Sequence, residues 1–209
     1  MRGQGSVISL AILVLAAIIL GTAFVVYFTT TTSAYRSAAS IEQVVSSEAL
    51  NTVVEPVATW RNATSGYTYA FIALKRLDNS SATILIIPYV ATGYVLNQSV
   101  TGGIVIERLN PAGDTDGIFC DEPNDCVPLV ARTEPASRIL INPSGRGWMP
   151  FSALYGVNTI NAFVLHYAGG TQILLLEVPS TSVQVVYLAL ATWIGSDIYV
   201  YKVVSINVG

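Results

Sequence analysis

The chain has 209 residues, of which 52% are hydrophobic and only 11% are charged, and its net charge at pH 7 is −3. Globular proteins carry about 25% charged residues, so uncharged side chains such as Ser, Thr and Tyr must supply much of the polar surface here. The sequence has no run of Lys or Arg. Nucleic-acid binding is therefore excluded, because it needs a basic surface facing the phosphates.

The chain begins with a long apolar stretch. Residues 7–28 include no charged side chain, and Arg2 is the only charged residue before Arg36. A helix of about 22 residues is roughly 33 Å long, which matches the hydrocarbon core of a bilayer. A secretory signal has an apolar region of only about 7 to 15 residues, so the length favours a permanent helix over a removable signal. Arg2 predicts that this end stays in the cytoplasm while the rest is exported.

A helical pattern continues beyond the apolar stretch. Apolar or small side chains recur every three or four positions and form a narrow stripe. The stripe contains Ile41, Val44, Val45, Glu48, Ala49, Thr52, Val53 and Val57. Residues 29–32 are four β-branched threonines that should strain or loosen a helix, and Pro56 should stop it. We therefore predict one long helix over about residues 6–54, within an N-terminal unit of residues 6–56.

The remainder of the chain has the pattern of a β protein. Short apolar runs separated by Gly, Pro, Asn and Ser predict strands over residues 68–77, 82–90, 103–109, 138–141, 162–167, 172–178, 183–192 and 198–208. Gly169 and Gly170 lie between two of these runs and predict a two-residue hairpin turn. Closely spaced strands without helical crossovers indicate a sandwich. The predicted fold class is thus α+β, a long N-terminal hydrophobic α-helix followed by an all-β, immunoglobulin-like sandwich over residues 57–209.

Two kinds of motif point to a location outside the cell. Cys120 and Cys126 enclose the polar loop CDEPNDC, and such a pair predicts a disulfide in an oxidising compartment, with two free thiols as the alternative. Asn62, Asn79 and Asn97 each begin an Asn-X-Ser/Thr triplet in a polar setting. These triplets are acceptors for N-glycosylation in exported proteins.

The sequence offers little that predicts catalysis. His166 is the only histidine, so no Ser-His pair or His-rich metal site is expected, and we predict neither an enzyme nor a cofactor. An acidic cluster consists of Asp114, Asp116, Asp121, Glu122 and Asp125. Its spacing differs from that of an EF-hand, so we expect an exposed acidic loop and leave calcium binding open. The 11 tyrosines are expected to pack on the sheets, although sugar-binding surfaces also use aromatic rings.

The start MRGQ, followed by an apolar helix and a β-rich domain, resembles the archaeal type IV pilins and the related archaellins. The resemblance implies a short leader within residues 1–5 that a membrane peptidase removes, either between Gly3 and Gln4 or after Gly5. It also implies that the helix anchors the subunit in the membrane and later forms the filament core. The core side chains would be Val7, Ile8, Leu10, Ile12, Leu13, Leu15, Ile18, Ile19, Leu20, Phe24 and Val25.

Three hypotheses about function remain open at this point. The first is a pilin, a glycosylated structural subunit of an extracellular archaeal type IV pilus-like filament. Its partners are copies of itself, the membrane before assembly, and an S-layer or host surface that its β domain adheres to. The second is a single-span membrane protein whose β domain binds the S-layer of the cell envelope, as in a stator of the archaellum. The third is a secreted filament protein, cut near Ala39 and joined by strand exchange.

Overall fold

The computed structural model describes residues 4–109, 126–145, 147–180 and 182–208. The chain divides into two compact units, Met1–Val44 and Val45–Gly209. The first unit consists of helix, and the second combines the end of that helix with the β domain.

Helix α1 extends over Gln4–Asn51 and has 48 residues. No Pro or charged residue interrupts its apolar part, and the helix continues through the four threonines without a break. The four threonines thus do not interrupt the helix, and the expectation that they strain or loosen it stays a prediction. The hydroxyl groups of Thr29, Thr30 and Thr31 donate to carbonyl oxygens four residues earlier, at 2.6, 2.9 and 2.7 Å, so each polar group is satisfied within the helix.

The helix ends earlier than the sequence predicts, because residues 52–56 belong to strand β1 (Thr52–Asn62). Thr52, Val53 and Val54 are all β-branched and favour an extended backbone. The strand β1 pairs antiparallel with β2 (Tyr67–Arg76). It is the edge strand of its sheet, a position in which Pro56 removes no ladder hydrogen bond that the sheet needs. A register shift between Pro56 and Ala58 accommodates the proline.

The remaining elements follow in chain order. The next strands are β3 (Ala82–Tyr89), β4 (Ala91–Thr92), β5 (Val95–Leu96), β6 (Val105–Leu109), β7 (Cys126–Pro128), β8 (Val130–Pro135) and β9 (Ile139–Ile141). The last are β10 (Met149–Pro150), β11 (Thr159–Tyr167), β12 (Thr171–Val178), β13 (Val185–Ile194) and β14 (Asp197–Asn207). Two short helices, α2 (Gln98–Thr101) and α3 (Phe151–Tyr155), lie between strands.

The described strands form two main sheets and a small hairpin. One sheet has five strands in the order β1-β2-β12-β6-β7, and the other has seven in the order β10-β9-β14-β13-β3-β11-β8. Strands β4 and β5 pair only with each other. The fold class is confirmed as a long apolar helix followed by a β-sandwich-like domain. The strand counts exceed the seven or nine of an immunoglobulin domain.

Buried apolar side chains lie on both faces of the seven-stranded sheet. One cluster contains Leu85 and Ile87 of β3, Ala189 of β13 and Ile198 of β14, and Phe151 of α3 covers it. Side chains of opposite parity, such as Ile84 and Ile86, are also buried, because successive residues of a strand point to opposite faces. Strand β3 is therefore buried on both sides, which explains why its sequence is continuously apolar.

Gly169 and Gly170 form a turn, as predicted, but they do not form a hairpin. Strand β11 pairs with β3 and β8 in the seven-stranded sheet, whereas β12 pairs with β2 and β6 in the five-stranded sheet. The turn therefore carries the chain from one sheet to the other. Both glycines have positive φ angles, 111° and 72°, and Gly170 N donates to Asn79 Oδ1 at 3.3 Å.

Candidate functional site: an exposed apolar helix and an anchored helix end

The apolar part of α1 is exposed around its whole circumference. Large apolar side chains between residues 13 and 28 are 50% to 71% exposed. Among the predicted core residues, this holds for Leu13, Leu15, Ile18, Ile19, Leu20, Phe24 and Val25. The other four, Val7, Ile8, Leu10 and Ile12, lie in the helix, but their side chains are outside the part of the chain that the structure describes.

The exposed apolar side chains of α1 require surroundings that cover them and shield them from water. Burying one large aliphatic or aromatic side chain is worth about 1.5 to 3 kcal/mol, and soluble monomers rarely expose a contiguous apolar patch of this kind. Ile18, Ile19 and Leu20 are consecutive and all more than half exposed, and consecutive helical residues point in directions about 100° apart. The cover must therefore surround the helix, as lipid or several packed copies would.

The threonine side chains of this helix are compatible with apolar surroundings. Thr22 Oγ1 donates to the carbonyl oxygens of Ile18 and Ile19, both at 3.0 Å, and Thr29, Thr30 and Thr31 make the equivalent bonds described above. A hydroxyl that is satisfied within its own helix loses less when water is removed. By length and composition, the helical stretch Leu13–Asn51 is able to cross a membrane.

The last turns of α1, residues 45–51, belong to the β-domain unit and are held by a charged cluster. The guanidinium group of Arg76, at the end of β2, donates through Nη1 and Nη2 to the two carboxylate oxygens of Glu48. The same group binds Asp78 through Nε at 3.1 Å and Nη2 at 2.8 Å. Arg76 is only 3% exposed. A buried cation with two carboxylate partners replaces the water that it has lost.

The electrostatics of the cluster follow from these contacts. The hydrogen bonds that Arg76 donates to Asp78, and then those to Glu48, raise the pKa of Arg76 above its ordinary value, so it stays charged. The Arg76 guanidinium, with a smaller contribution from Ser80, lowers the pKa of the Asp78 carboxyl. Both shifts favour the ionised pair over separated neutral groups.

Lys202 of β14 caps the end of the same helix. Its Nζ donates to the carbonyl oxygen of Ala49 at 3.3 Å and to that of Thr52, while Leu77 N donates to Asn51 O at 2.7 Å. These are carbonyl groups at the helix C-terminus that have no partner within the helix, and a cation there also interacts well with the helix dipole. The domain thus satisfies the last turn of α1 with charged and backbone donors.

The three predicted glycosylation sites lie at exposed turns. Asn62 ends β1 and its Oδ1 accepts from Thr64 N and Ser65 N at 3.0 and 3.1 Å. Asn79 lies in a turn with a φ angle of 53°, and Asn97 caps α2 by accepting from Val100 N. All three side chains are exposed, and their hydrogen bonds to Thr64 N, Ser65 N, Val100 N and Gly170 N use Oδ1 and not Nδ2, the atom that a glycan modifies. Glycosylation itself stays a prediction.

Several other predicted sites fall outside the described residues. These are Gly3 of the leader, Cys120, and the acidic residues Asp114, Asp116, Asp121, Glu122 and Asp125. Gln4 begins α1, and Cys126 begins β7, but the side chains of both are outside the described part. The leader, the disulfide and the calcium question therefore stay predictions.

His166 is an exposed residue near the end of β11, where its Nδ1 is 3.4 Å from Thr83 Oγ1 on the neighbouring strand β3. Within the described ranges, no three His, Cys, Asp or Glu side chains are placed to hold a metal ion.

Sequence reasoning missed the role of Arg76, Glu48 and Lys202. Glu48 stood in the predicted helical stripe, and Arg76 continues the alternating set of β2 in which the two preceding members, Leu74 and Ile72, are apolar. The signal available in the sequence was a charged residue at a strand position expected to be buried, because a buried charge requires a partner.

No family model matches this chain, and no curated protein matches it.

Proposed function

We propose that this chain is a structural subunit of an extracellular, type IV pilus-like filament. In this proposal the apolar part of α1 holds the subunit in the membrane before assembly. Copies then pack their helices together to form the filament core. The β domain forms the outer layer and makes contacts with neighbours, an S-layer or a host surface.

The observation that carries the proposal is the uniform exposure of the apolar side chains between residues 13 and 28. A helix at the centre of a bundle meets neighbours on every face, and its side chains can be apolar all round. The hydrophobic effect that retains the segment in lipid would equally hold it in such a bundle.

The length of the helix favours a filament core over a simple anchor. About 20 residues are enough to cross a bilayer, but α1 has 48. Residues 29–40 are rich in Thr, Ser and Ala and almost all are exposed. Small side chains allow helices to approach each other closely, so this part suits packing against other copies beyond the membrane.

The test compares two leucines that are equally exposed. Leu15 in α1 is 63% exposed and Leu77, after β2, is 62% exposed. We expect Leu15→Asp to abolish filaments in the material sheared from cells, because the carboxylate would have to be buried among apolar helices. The control Leu77→Asp should leave filaments unchanged. Electron microscopy and immunoblotting of the sheared fraction measure both outcomes.

The alternative function, a single-span envelope protein with a surface-binding β domain, is favoured by the same apolar segment. It predicts that the wild-type chain is recovered only by detergent extraction of membranes and never in sheared fibres. Wild-type fibres that lack this chain, or normal fibres from Leu15→Asp, would overturn the filament proposal.

A further inference from the structure

A pocket lined by tyrosines lies on the β domain, between α3, the end of β3 and the middle of β14. It has a volume of about 380 Å³. Tyr89, Tyr94 and Tyr155 contribute aromatic rings, and Asn142 and Lys202 contribute polar groups. Ligand sites of small molecules occupy about 300 to 1,000 Å³ and are apolar with a few polar groups. The pocket lies at the small end of this range.

The charges of the pocket indicate an uncharged ligand. Lys202 donates to the carbonyl oxygens of Ala49 and Thr52, so two of the three N–H groups of its ammonium are already used. No carboxylate is present among the described lining residues. The described lining therefore offers no anion, and its one cation is already bound to two backbone carbonyl oxygens.

The polar atoms that remain are neutral hydrogen-bonding groups. Tyr155 Oη donates to Tyr89 Oη at 3.4 Å, which leaves the lone pairs of Tyr155 to accept from a ligand. Asn142 Oδ1 accepts from Gly147 N at 3.0 Å, and the Nδ2 group of the same side chain is a donor. Burial keeps the pKa of Tyr89 above its ordinary value, so this phenol stays protonated. The site thus presents a donor and acceptors beside aromatic rings.

An exposed aromatic ring forms the rim. Tyr94 lies in the turn between β4 and β5, after Gly93 with a φ angle of 60°, and it is 71% exposed. The opposite wall holds Tyr155, whose ring packs on Tyr89 and Phe151 at centroid distances of 5.4 and 4.5 Å. The Tyr155 ring is thus held by its aromatic neighbours, while most of the Tyr94 ring is open to solvent and to a ligand.

We propose that this pocket binds a neutral saccharide, as a single sugar unit or the end of a glycan chain. The apolar C–H face of a pyranose ring packs on the electron-rich face of Tyr94, and the sugar hydroxyls bond to Tyr155 and Asn142. This ligand class combines an apolar face with many uncharged donors and acceptors, which is the combination that the lining offers. This proposal does not rest on filament assembly. It adds a ligand-binding site to the β domain.

The test uses the full chain in micelles of dodecylphosphocholine, a detergent without a sugar headgroup. Saturation-transfer NMR would be recorded with N-acetylglucosamine and the methyl glycosides of glucose, galactose and mannose at millimolar concentration. We expect saturation transfer to at least one of them. The variant Tyr94→Ala should weaken binding about two- to tenfold, because aromatic packing contributes about 0.5 to 1.5 kcal/mol and 1.4 kcal/mol corresponds to tenfold.

The matched control is Tyr35→Ala, since Tyr35 is 74% exposed but lies in α1. This variant should bind as the wild type does. A second variant, Tyr155→Phe, keeps the ring and removes the hydroxyl, and it should weaken binding without lowering the melting temperature by more than a few degrees. The proposal is overturned if no saccharide shows saturation transfer or if Tyr94→Ala binds like wild type.

Discussion

Arg76, buried at the end of β2, forms an ion pair with Glu48, which lies one turn before the end of α1. The pair joins a helix residue to a strand residue 28 positions later in the chain. It acts with the Lys202 cap and with Val45, which is 7% exposed. Together these contacts hold residues 45–51 against the sheets.

We expect Glu48→Gln to destabilise the β-domain unit by about 1 to 3 kcal/mol, the usual cost of losing a charged partner from a largely buried hydrogen bond. The loss stays within this range because Asp78 continues to bind Arg76. Thermal unfolding of the full chain in micelles, followed by near-ultraviolet circular dichroism, measures it. Glu55→Gln, on the exposed edge of β1, should change the unfolding midpoint little. Equal effects of the two variants would contradict the prediction.

The Asp78 carboxylate should make stability depend on pH in the acid range. Arg76 lowers its folded pKa below the ordinary value of 3.8. Because the folded pKa is the lower one, the ionised form stabilises the folded state above the ordinary value, and this contribution disappears as the pH falls through the folded pKa. We expect the unfolding midpoint to drop below about pH 4 and to drop less in Asp78→Asn. A variant with the wild-type slope would show that Asp78 is not responsible.

Glu177 of β12 should have the opposite effect. Burial raises its pKa above the ordinary value of 4.5, and the nearby Glu107 raises it further. A raised folded pKa means that the ionised form destabilises the folded state at neutral pH. We expect Glu177→Gln to increase stability at pH 7 by about 0.5 kcal/mol, a modest value because the side chain is partly screened by solvent. The gain should vanish on titration to pH values below 4.5; a constant gain would indicate a packing effect.

The hydroxyl of Tyr167 joins the two sheets. It donates to Gly170 O and accepts from Arg76 N at 3.1 Å, and Tyr167 is 2% exposed. Tyr167→Phe leaves a buried amide and a carbonyl without this partner, and we expect a loss of about 1 to 3 kcal/mol in the free energy of unfolding. Chemical denaturation measures the loss. Tyr94→Phe removes an exposed hydroxyl and should cost less than about 0.5 kcal/mol.

Gly169 is expected to resist substitution. Its φ of 111° is a conformation that side chains rarely adopt, so Gly169→Ala should cost about 1 to 3 kcal/mol through backbone strain. The control is Gly21→Ala, because Gly21 is helical and an added Cβ would meet no atom within 4 Å. That change should not destabilise the chain, since Ala is the better helix former. Similar melting temperatures for both variants would contradict the assignment of strain.

The sequence by itself determined the parts that depend on local pattern. The uncharged run of residues 7–28 predicted an apolar helix, because helical hydrogen bonds are made within one segment. Alternation and turn residues predicted eight strands, each of which overlaps a strand of the structure. Only tertiary structure decided which sheet each strand joins, because strand partners are distant in the chain. Thus Gly169 and Gly170 looked like a hairpin turn, yet β11 and β12 pair in different sheets.

The candidate site divides in the same way. The exposed apolar surface of α1 was predictable, since the apolar character of a side chain does not depend on its contacts with other residues. The binding of Arg76 to Glu48, and of Lys202 to the helix end, was not. A charged side chain becomes buried and gains its partner only after long-range strand pairing has placed it. Pairing with β2 also drew residues 52–54, the end of the predicted helix, into strand β1. Local sequence patterns determine which helices and strands form, and the pairing of strands that are distant in the chain determines their contacts.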